Sequence, residues 1–255
     1  MTREKVGPLE IRVWRAGAGA PLLYLHGFEQ HPGDAAFLNR LSGKHEVCAP
    51  EHPGFGDSAG FEENYDVIDV ALHYRRLIES WKNAPVDVVG HSLGGMFAAE
   101  LAALSPHLVR RLILADAYGL WIDEHPLPDP FALSPRDLER AKWCDPNKAP
   151  VPEPSAFDGN GDAGALAVFR AQNLGTATKF MWPIPDRGLS RRLPYVKAPT
   201  LIVHGEADGL IPPVYAQAFA RMIAGSRLAT IRNAGHLPMI EAEDEFTAAV
   251  DQFLG

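Results

Sequence analysis

The sequence predicts an α/β protein, a mostly parallel, doubly wound sheet interrupted by a helical insertion. Three observations lead there. Short apolar runs alternate with helical patterns through both ends of the chain, the order expected of parallel strands covered on both faces. The central runs, such as Pro21-Leu22-Leu23-Tyr24-Leu25, are continuously apolar instead of alternating, which fits strands buried on both sides. From Ala117 to about Pro194 the pattern breaks: prolines recur, short helical pieces lie between them, and no strand-like run occurs. The expected division is a core of residues 1–116 and 195–255 with an insertion at 117–194.

Leu9, Ile11 and Val13 alternate with polar neighbours and predict an early, half-exposed strand. Residues 21–25 predict the first buried strand, which ends at His26-Gly27-Phe28. A short helix over 34–42 carries Phe37, Leu38 and Leu41 on one side, and a strand over 46–50 leads into a turn-rich loop at 51–58. Apolar residues at helical spacing predict a helix over 65–82. A strand over 86–89, a helix over 96–104 with no Pro, and a strand over 111–115 follow. Inside the insertion, 135–143 and 163–173 read as helices. Regular order returns with a strand at 200–203, a helix at 213–224, a strand at 227–232 and a closing amphipathic helix at 243–254.

With 255 residues, 46% hydrophobic and 22% charged, the chain is long enough for one sizeable core. A formal net charge of -8 without a basic face argues against nucleic acid as a partner. Arg187, Arg191, Arg192 and Lys197 read as a solvated loop or helix end. Cys48 and Cys144 lie far apart without metal-ligand spacing and read as idle thiols. The first residues lack a secretory apolar run, and no stretch approaches ~18 consecutive apolar residues. A cytoplasmic protein without a membrane span is the expectation, and the oligomeric state stays open. Asp158-Gly159-Asn160-Gly161-Asp162 opens like a calcium loop, but Ala163 and Phe169 stand where such a loop needs Gly and Glu. A loop without a metal is the better reading, and with no phosphate-cradling motif no cofactor is expected.

The chemistry gathers at strand ends. Gly90-His91-Ser92-Leu93-Gly94 sits between a predicted strand and a predicted helix, the pattern of a nucleophile elbow. A chain that turns that sharply brings residues two before and two after the serine against other atoms, so both are glycine. His26-Gly27-Phe28, Asp208 and His236 also follow predicted strands, and ligands of such sheets sit beyond the strands' carboxyl ends. A serine hydroxyl needs a base, and the base needs a carboxylate to orient it.

Together with the loop Gly54-Phe55-Gly56-Asp57-Ser58, the run His204-Gly205-Glu206-Ala207-Asp208 and Gly235-His236, these motifs resemble the α/β-hydrolase fold superfamily, with an inserted cap. The resemblance covers nearly the whole chain outside the cap. It implies Ser92 as nucleophile, His236 as general base and then acid, and Asp208 as the orienting carboxylate. It implies an oxyanion hole from the backbone N–H groups of Phe28 and Leu93. Asp116, which ends the preceding strand, is the rival for the acid, since this fold also uses that position. His26 reads as a structural histidine, and Glu51 and His52 as residues that hold the glycine loop, with Glu51 where relatives often carry Asp.

Dehalogenases and epoxide hydrolases of this fold use Asp at the elbow, so Ser92 argues against both. The resemblance implies a carboxylic-ester hydrolase acting on a small or polymeric ester. A C–C hydrolase of the meta-cleavage type is the alternative, although such enzymes usually carry Trp where this chain has Leu237. A ligand-binding protein on a hydrolase scaffold is the non-enzymatic alternative. Met96 and Leu237 are pocket candidates because they flank the elbow and the base. The aromatic residues of the insertion, Trp143 and Trp182 among them, either line an apolar pocket or form the cap's own core.

Overall fold

The structure, a computed structural model, describes residues 1–63, 66–81, 84–159 and 162–255. Eight strands form one sheet: β1 (Thr2–Val6), β2 (Leu9–Ala16), β3 (Ala20–Leu25), β4 (His45–Pro50), β5 (Val86–His91), β6 (Val109–Ala115), β7 (Thr200–Gly205) and β8 (Arg227–Ile231). Their order across the sheet is β1-β2-β4-β3-β5-β6-β7-β8. β2 runs antiparallel to β1 and β4, and the remaining neighbours are parallel.

Side chains that alternate along each strand explain the two-sided core. Leu23 and Leu25 of β3, Val88 of β5 and Leu112 and Leu114 of β6 join one apolar layer. Their neighbours Leu22, Tyr24, Val89, Ile113 and Ala115 join the other. The first layer is covered by α2 (Val67–Ser80), α3 (Leu93–Leu104) and α7 (Pro213–Met222), through Tyr74, Leu77, Phe97, Leu101, Tyr215 and Phe219. The second is covered by α1 (Ala36–Ser42) and α9 (Glu243–Leu254), through Phe37, Leu38, Leu41, Phe246 and Val250.

The chain order reverses at β3. Its successor β4 lies on one side and β5 on the other, which opens a crevice beyond the carboxyl ends of β3 and β5. Register aligns those ends across the sheet: Leu25 lies opposite Gly90, His91 opposite Ala115, Ala115 opposite Val203, and Gly205 opposite Ile231.

Several elements differ from the sequence reading. β1 has no alternating apolar pattern, because it is an exposed edge strand whose role is to pair with β2. α2 begins at Val67 behind a capping box formed by Asp66 and Asp69; the expected ends at Tyr65 and Lys82 lie outside the described residues. Among the described residues, no strand lies between 117 and 194. That span holds α4 (Pro135–Lys142), α5 (Ala163–Met181) and the short α6 (Leu189–Arg192). α5 runs well past the expected residue 173 despite Gly175, Thr176 and Thr178, because Phe169, Ala177, Phe180 and Met181 bury one face. Asp162 caps α5, whereas Asn160 and Gly161 of the calcium-like run lie outside the described residues. The four-residue helix α8 (Pro238–Glu241) lay inside a segment too short to show a period.

The basic run at 187–197 is not simply solvated. Arg192 reaches from α6 to Glu100 of α3 with two hydrogen bonds of 2.5 and 2.6 Å, and Glu100 is fully buried. Burial raises the Glu100 carboxyl even beside this partner. Removing one member of a buried pair leaves the other desolvated and unpaired. Arg192→Met should therefore lower stability by about 3 kcal/mol, read as a fall in Tm. Glu100→Gln in the same background should recover most of it; a double variant no more stable than Arg192→Met would contradict this.

Candidate active site

Ser92 sits between β5 and α3 with φ 56° and ψ -121°, a region costly for any residue with a Cβ. Backbone hydrogen bonds hold it there. Its N–H donates to the Ala115 carbonyl at 2.9 Å, and its own carbonyl accepts from Gly95, Met96 and Tyr118. Gly94 donates to the His26 carbonyl at 2.9 Å, tying the end of β3 to the elbow. The two glycines are required by packing. A Cβ on Gly90 would come 2.7 Å from that of Ala98, and one on Gly94 would come 2.5 Å from the Leu25 carbonyl carbon.

His236 lies in the turn after β8. Its N–H donates to the Lys142 carbonyl at 2.7 Å, and its carbonyl accepts from His91 Nε2 at 2.7 Å. Gly235 lets the end of α4 approach that closely: a Cβ there would lie 2.8 Å from the Cys144 nitrogen. So held, His236 directs Nε2 to Ser92 Oγ at 2.8 Å and Nδ1 to Asp208 Oδ2 at 2.8 Å. The carboxylate can only accept, so Nδ1 carries the proton and Nε2 accepts from the serine hydroxyl. The other oxygen of Asp208 accepts from the N–H groups of Leu210 and Ile211 at 2.8 and 3.0 Å.

Burial alone would raise the Asp208 carboxyl. His236, through its Nδ1–H bond and the charge it takes when protonated, outweighs this together with the Ile211 N–H, and holds the group below the usual carboxylate range. Asp116 goes the other way: burial and then the Asp208 charge push it well above that range. Its Oδ1 accepts from the Gly205 N–H at 2.9 Å and lies 3.1 Å from His204 Nδ1. Of the two rival acids, then, Asp208 faces the imidazole and Asp116 stands behind it.

A cleft of about 30 Å³ opens beside Ser92, lined among others by Gly27, Phe28, Glu29, His91, Glu153, Pro154, His236 and Leu237. Phe28 is buried at the cleft, and Leu93 begins α3, where an N–H has no partner inside the helix. Leu237 lines the cleft. The other pocket candidates do not. Met96 is fully buried in the core against Gly119. Trp143 packs on the opposite apolar layer and donates to Glu139. Trp182 is half-exposed and edges a separate apolar hollow of about 110 Å³ with Tyr118, Trp121 and Phe131.

Three features escaped the sequence reading. His91 supports the turn that carries His236, its Nε2 donating to the His236 carbonyl. Lys142, buried, holds Glu29 at 2.5 Å, Glu153 at 2.8 Å and Glu139 at 3.5 Å, and so joins the loop after Phe28 to the insertion. Glu29 and Glu153 bring carboxylates to the cleft itself. His91 stood within the Gly90–Gly94 motif and Glu29 next to His26-Gly27-Phe28, whereas Lys142 and Glu153 had no sequence signal.

The glycine loop is held as expected. Ser58 donates to buried Glu51 at 2.8 Å, and burial pushes the Glu51 carboxyl up to about 7. His26 accepts from the His52 N–H at 2.9 Å, and His52 donates back to the His26 carbonyl at 2.8 Å. For a metal, the donor atoms of Asp116, His204 and Asp208 form the one compact cluster among the described residues. Both oxygens of Asp208 are already engaged, so the cluster is better suited to hydrogen bonding than to ligation.

Burial lowers His31, His52 and His91 to about 3, and His26 well below its ordinary value. All are neutral in the fold, whereas their unfolded counterparts titrate near 6.5. Their contribution is therefore fully present above about pH 6.5 and is lost as pH falls toward 3. Thermal denaturation should give a Tm that falls steeply below about pH 6.5. A Tm unchanged from pH 7 to 5 would contradict the assignment.

A model of the alpha/beta hydrolase family matches residues 22–249. The chain is 28% identical over 271 residues to 2-hydroxy-6-oxo-2,4-heptadienoate hydrolase of Pseudomonas putida, covering 97% of this chain and 94% of that protein. It is also 28% identical over 255 residues to a pimeloyl-[acyl-carrier protein] methyl ester esterase of Xanthomonas oryzae pv. oryzae, covering 93% and 96%. A bacterial membrane phospholipase A shares the fold with a TM-score of 0.84 and 23% identity, over 99% of this chain and 84% of that one. With the sheet order, the elbow and the strand-end site in view, the chain belongs to the alpha/beta hydrolase family.

Proposed function

We propose that the protein is a serine hydrolase that cleaves carboxylic esters through an acyl-enzyme, with Ser92, His236 and Asp208 as its catalytic residues. The observation that carries this reading is the unbroken hydrogen-bond relay from Ser92 Oγ through the imidazole to Asp208. Ser92 Oγ attacks the ester carbonyl as its proton passes to His236 Nε2. The oxyanion forms between the N–H groups of Leu93 and Phe28, each worth about 3 kcal/mol in the transition state. His236 then gives the proton to the leaving alcohol. A water loses a proton to the same nitrogen and attacks the acyl carbon; the bond to Ser92 Oγ then breaks, that oxygen takes the proton back from His236, and the acid leaves. Asp208 keeps its charge throughout and stabilises the imidazolium.

Residues 117–194 serve as a cap in this reading, since they contribute Glu153 and Pro154 to the cleft beside the nucleophile.

Cleavage of a C–C bond is the second reading, favoured by the likeness to the heptadienoate hydrolase. Two features support the ester instead. Leu237 stands where the C–C enzymes usually have Trp. Glu29 and Glu153 line the cleft, and because the one Lys142 ammonium is shared between them and Glu139, the negative charge left over disfavours the carboxylate of a dienoate. A panel of aryl and aliphatic esters assayed beside a 2-hydroxy-6-oxo-dienoate decides between them. Turnover of esters is expected, and turnover of the dienoate alone would overturn the ester reading. Asp208→Asn should lower kcat by about 10⁴-fold with little change in KM, because the imidazole loses its orientation and the stabilising charge. A loss smaller than tenfold would remove Asp208 from the relay.

A further inference from the structure

We infer that Asp116 is a positioning residue that stays protonated and donates a hydrogen bond to the Asp208 carboxylate, so that the relay has a fourth member. The inference rests on the proposed roles of Ser92, His236 and Asp208 for its catalytic consequence, but not for the proton itself.

Three observations carry it. The first is proximity: donor atoms of Asp116, His204 and Asp208 all lie within 4.8 Å of one another, and all three residues are buried. The contact between the two carboxyl groups is acceptor against acceptor unless one of them holds a proton. The second is the division of partners. Asp208 accepts from His236 Nδ1 and from two backbone N–H groups, each of which favours its charged form. Asp116 accepts from one backbone N–H, that of Gly205, at Oδ1, which also lies 3.1 Å from His204 Nδ1, and its buried Oδ2 meets no donor. Two buried carboxylates this close cannot both ionise, so the proton resides on the group with fewer donors. The third is strain. Asp116 adopts φ 44°, an unfavourable backbone for a residue with a side chain, and its N–H is pinned to the Val203 carbonyl at 3.0 Å. That geometry holds the carboxyl against the start of the loop that carries Asp208.

The other titratable groups facing Asp116 agree with this. His204 on β7 is kept neutral by burial and offers no cation to stabilise a second charge. Glu241 of α8 and Asp208 itself add negative potential, which together with burial raises Asp116 far above an ordinary carboxyl.

The catalytic consequence concerns the base. A neutral Asp116 leaves one negative charge behind His236. An ionised Asp116 would add a second, make the imidazole more basic, and move the low-pH edge of activity upward. Infrared difference spectroscopy of the protein at pH 7, with Asp116→Asn as the reference, reads the proton directly. A protonated carboxyl band that the variant removes is expected, and its absence would overturn the inference whether or not any ester is hydrolysed. The second measurement is the pH profile of kcat/KM for an ester. In Asp116→Asn, which replaces one neutral donor by another, the low-pH edge should stay within about 0.3 of a pH unit of its original place. An edge that falls by about one unit or more would mean that a charge had been removed, and the inference would be wrong. Asp116→Ala, which removes the donor, should lower kcat at unchanged KM, whereas an unchanged kcat would deny it a positioning role.

Discussion

The close approach of two backbones at the centre of the sheet governs the rest of the molecule. β3 and β5 run side by side, and the turn after β5 folds back so tightly that Gly94 bonds to the carbonyl of His26. Neither Gly90 nor Gly94 could carry a side chain there. That contact forces Ser92 into a left-handed backbone and directs the hydroxyl out of the turn. It also sets the first N–H groups of α3 beside the loop that carries Phe28. The crevice, the strained Ser92 and the free amides at the start of α3 are thus consequences of one packing constraint at the point where strand order reverses.

Around that point the chain manages charge mostly by burying neutral groups. The histidines beneath the site are uncharged and bonded to backbone, so they brace loops without adding field. The charge that remains is concentrated at Asp208, where three donors stabilise it. A second knot of charge lies at Lys142, whose ammonium gathers carboxylates from the loop after Phe28 and from the insertion. The same residue's carbonyl accepts from His236. One residue of α4 therefore touches both the turn that carries His236 and the loop after Phe28, which couples residues 117–194 to the geometry of the site.

Much of this was legible in the sequence, for physical reasons. Buried parallel strands write themselves as uninterrupted apolar runs, so β3, β5, β6 and β7 could be read directly. A turn that admits only glycine at two positions leaves the signature Gly90-x-Ser92-x-Gly94. The fold class and the strand-end clustering of Ser92, Asp208 and His236 followed from those patterns. What stayed hidden depends on contacts between distant segments. Nothing about Lys142 in its own neighbourhood distinguishes it from a surface lysine: Glu139 and Glu153 are near it in sequence, and Glu29, which completes the cluster, lies far back in the chain. Arg192 looked solvated because Glu100, its partner, lies 92 positions away. Met96 looked like a pocket residue because it is adjacent to the elbow in sequence, but the helix turns it into the core. β1 escaped because an exposed edge strand needs no apolar face.

The central claim is that a strained serine at the elbow, deprotonated by His236, is the atom that attacks. Covalent labelling with a fluorophosphonate ester, followed by mass spectrometry of the digested protein, tests it most directly. The account predicts a single phosphonyl adduct on the peptide that contains Ser92, formed in the wild type and missing in Ser92→Ala. An adduct that persists in that variant, or ester turnover by a protein whose Ser92 stays unlabelled, would contradict it.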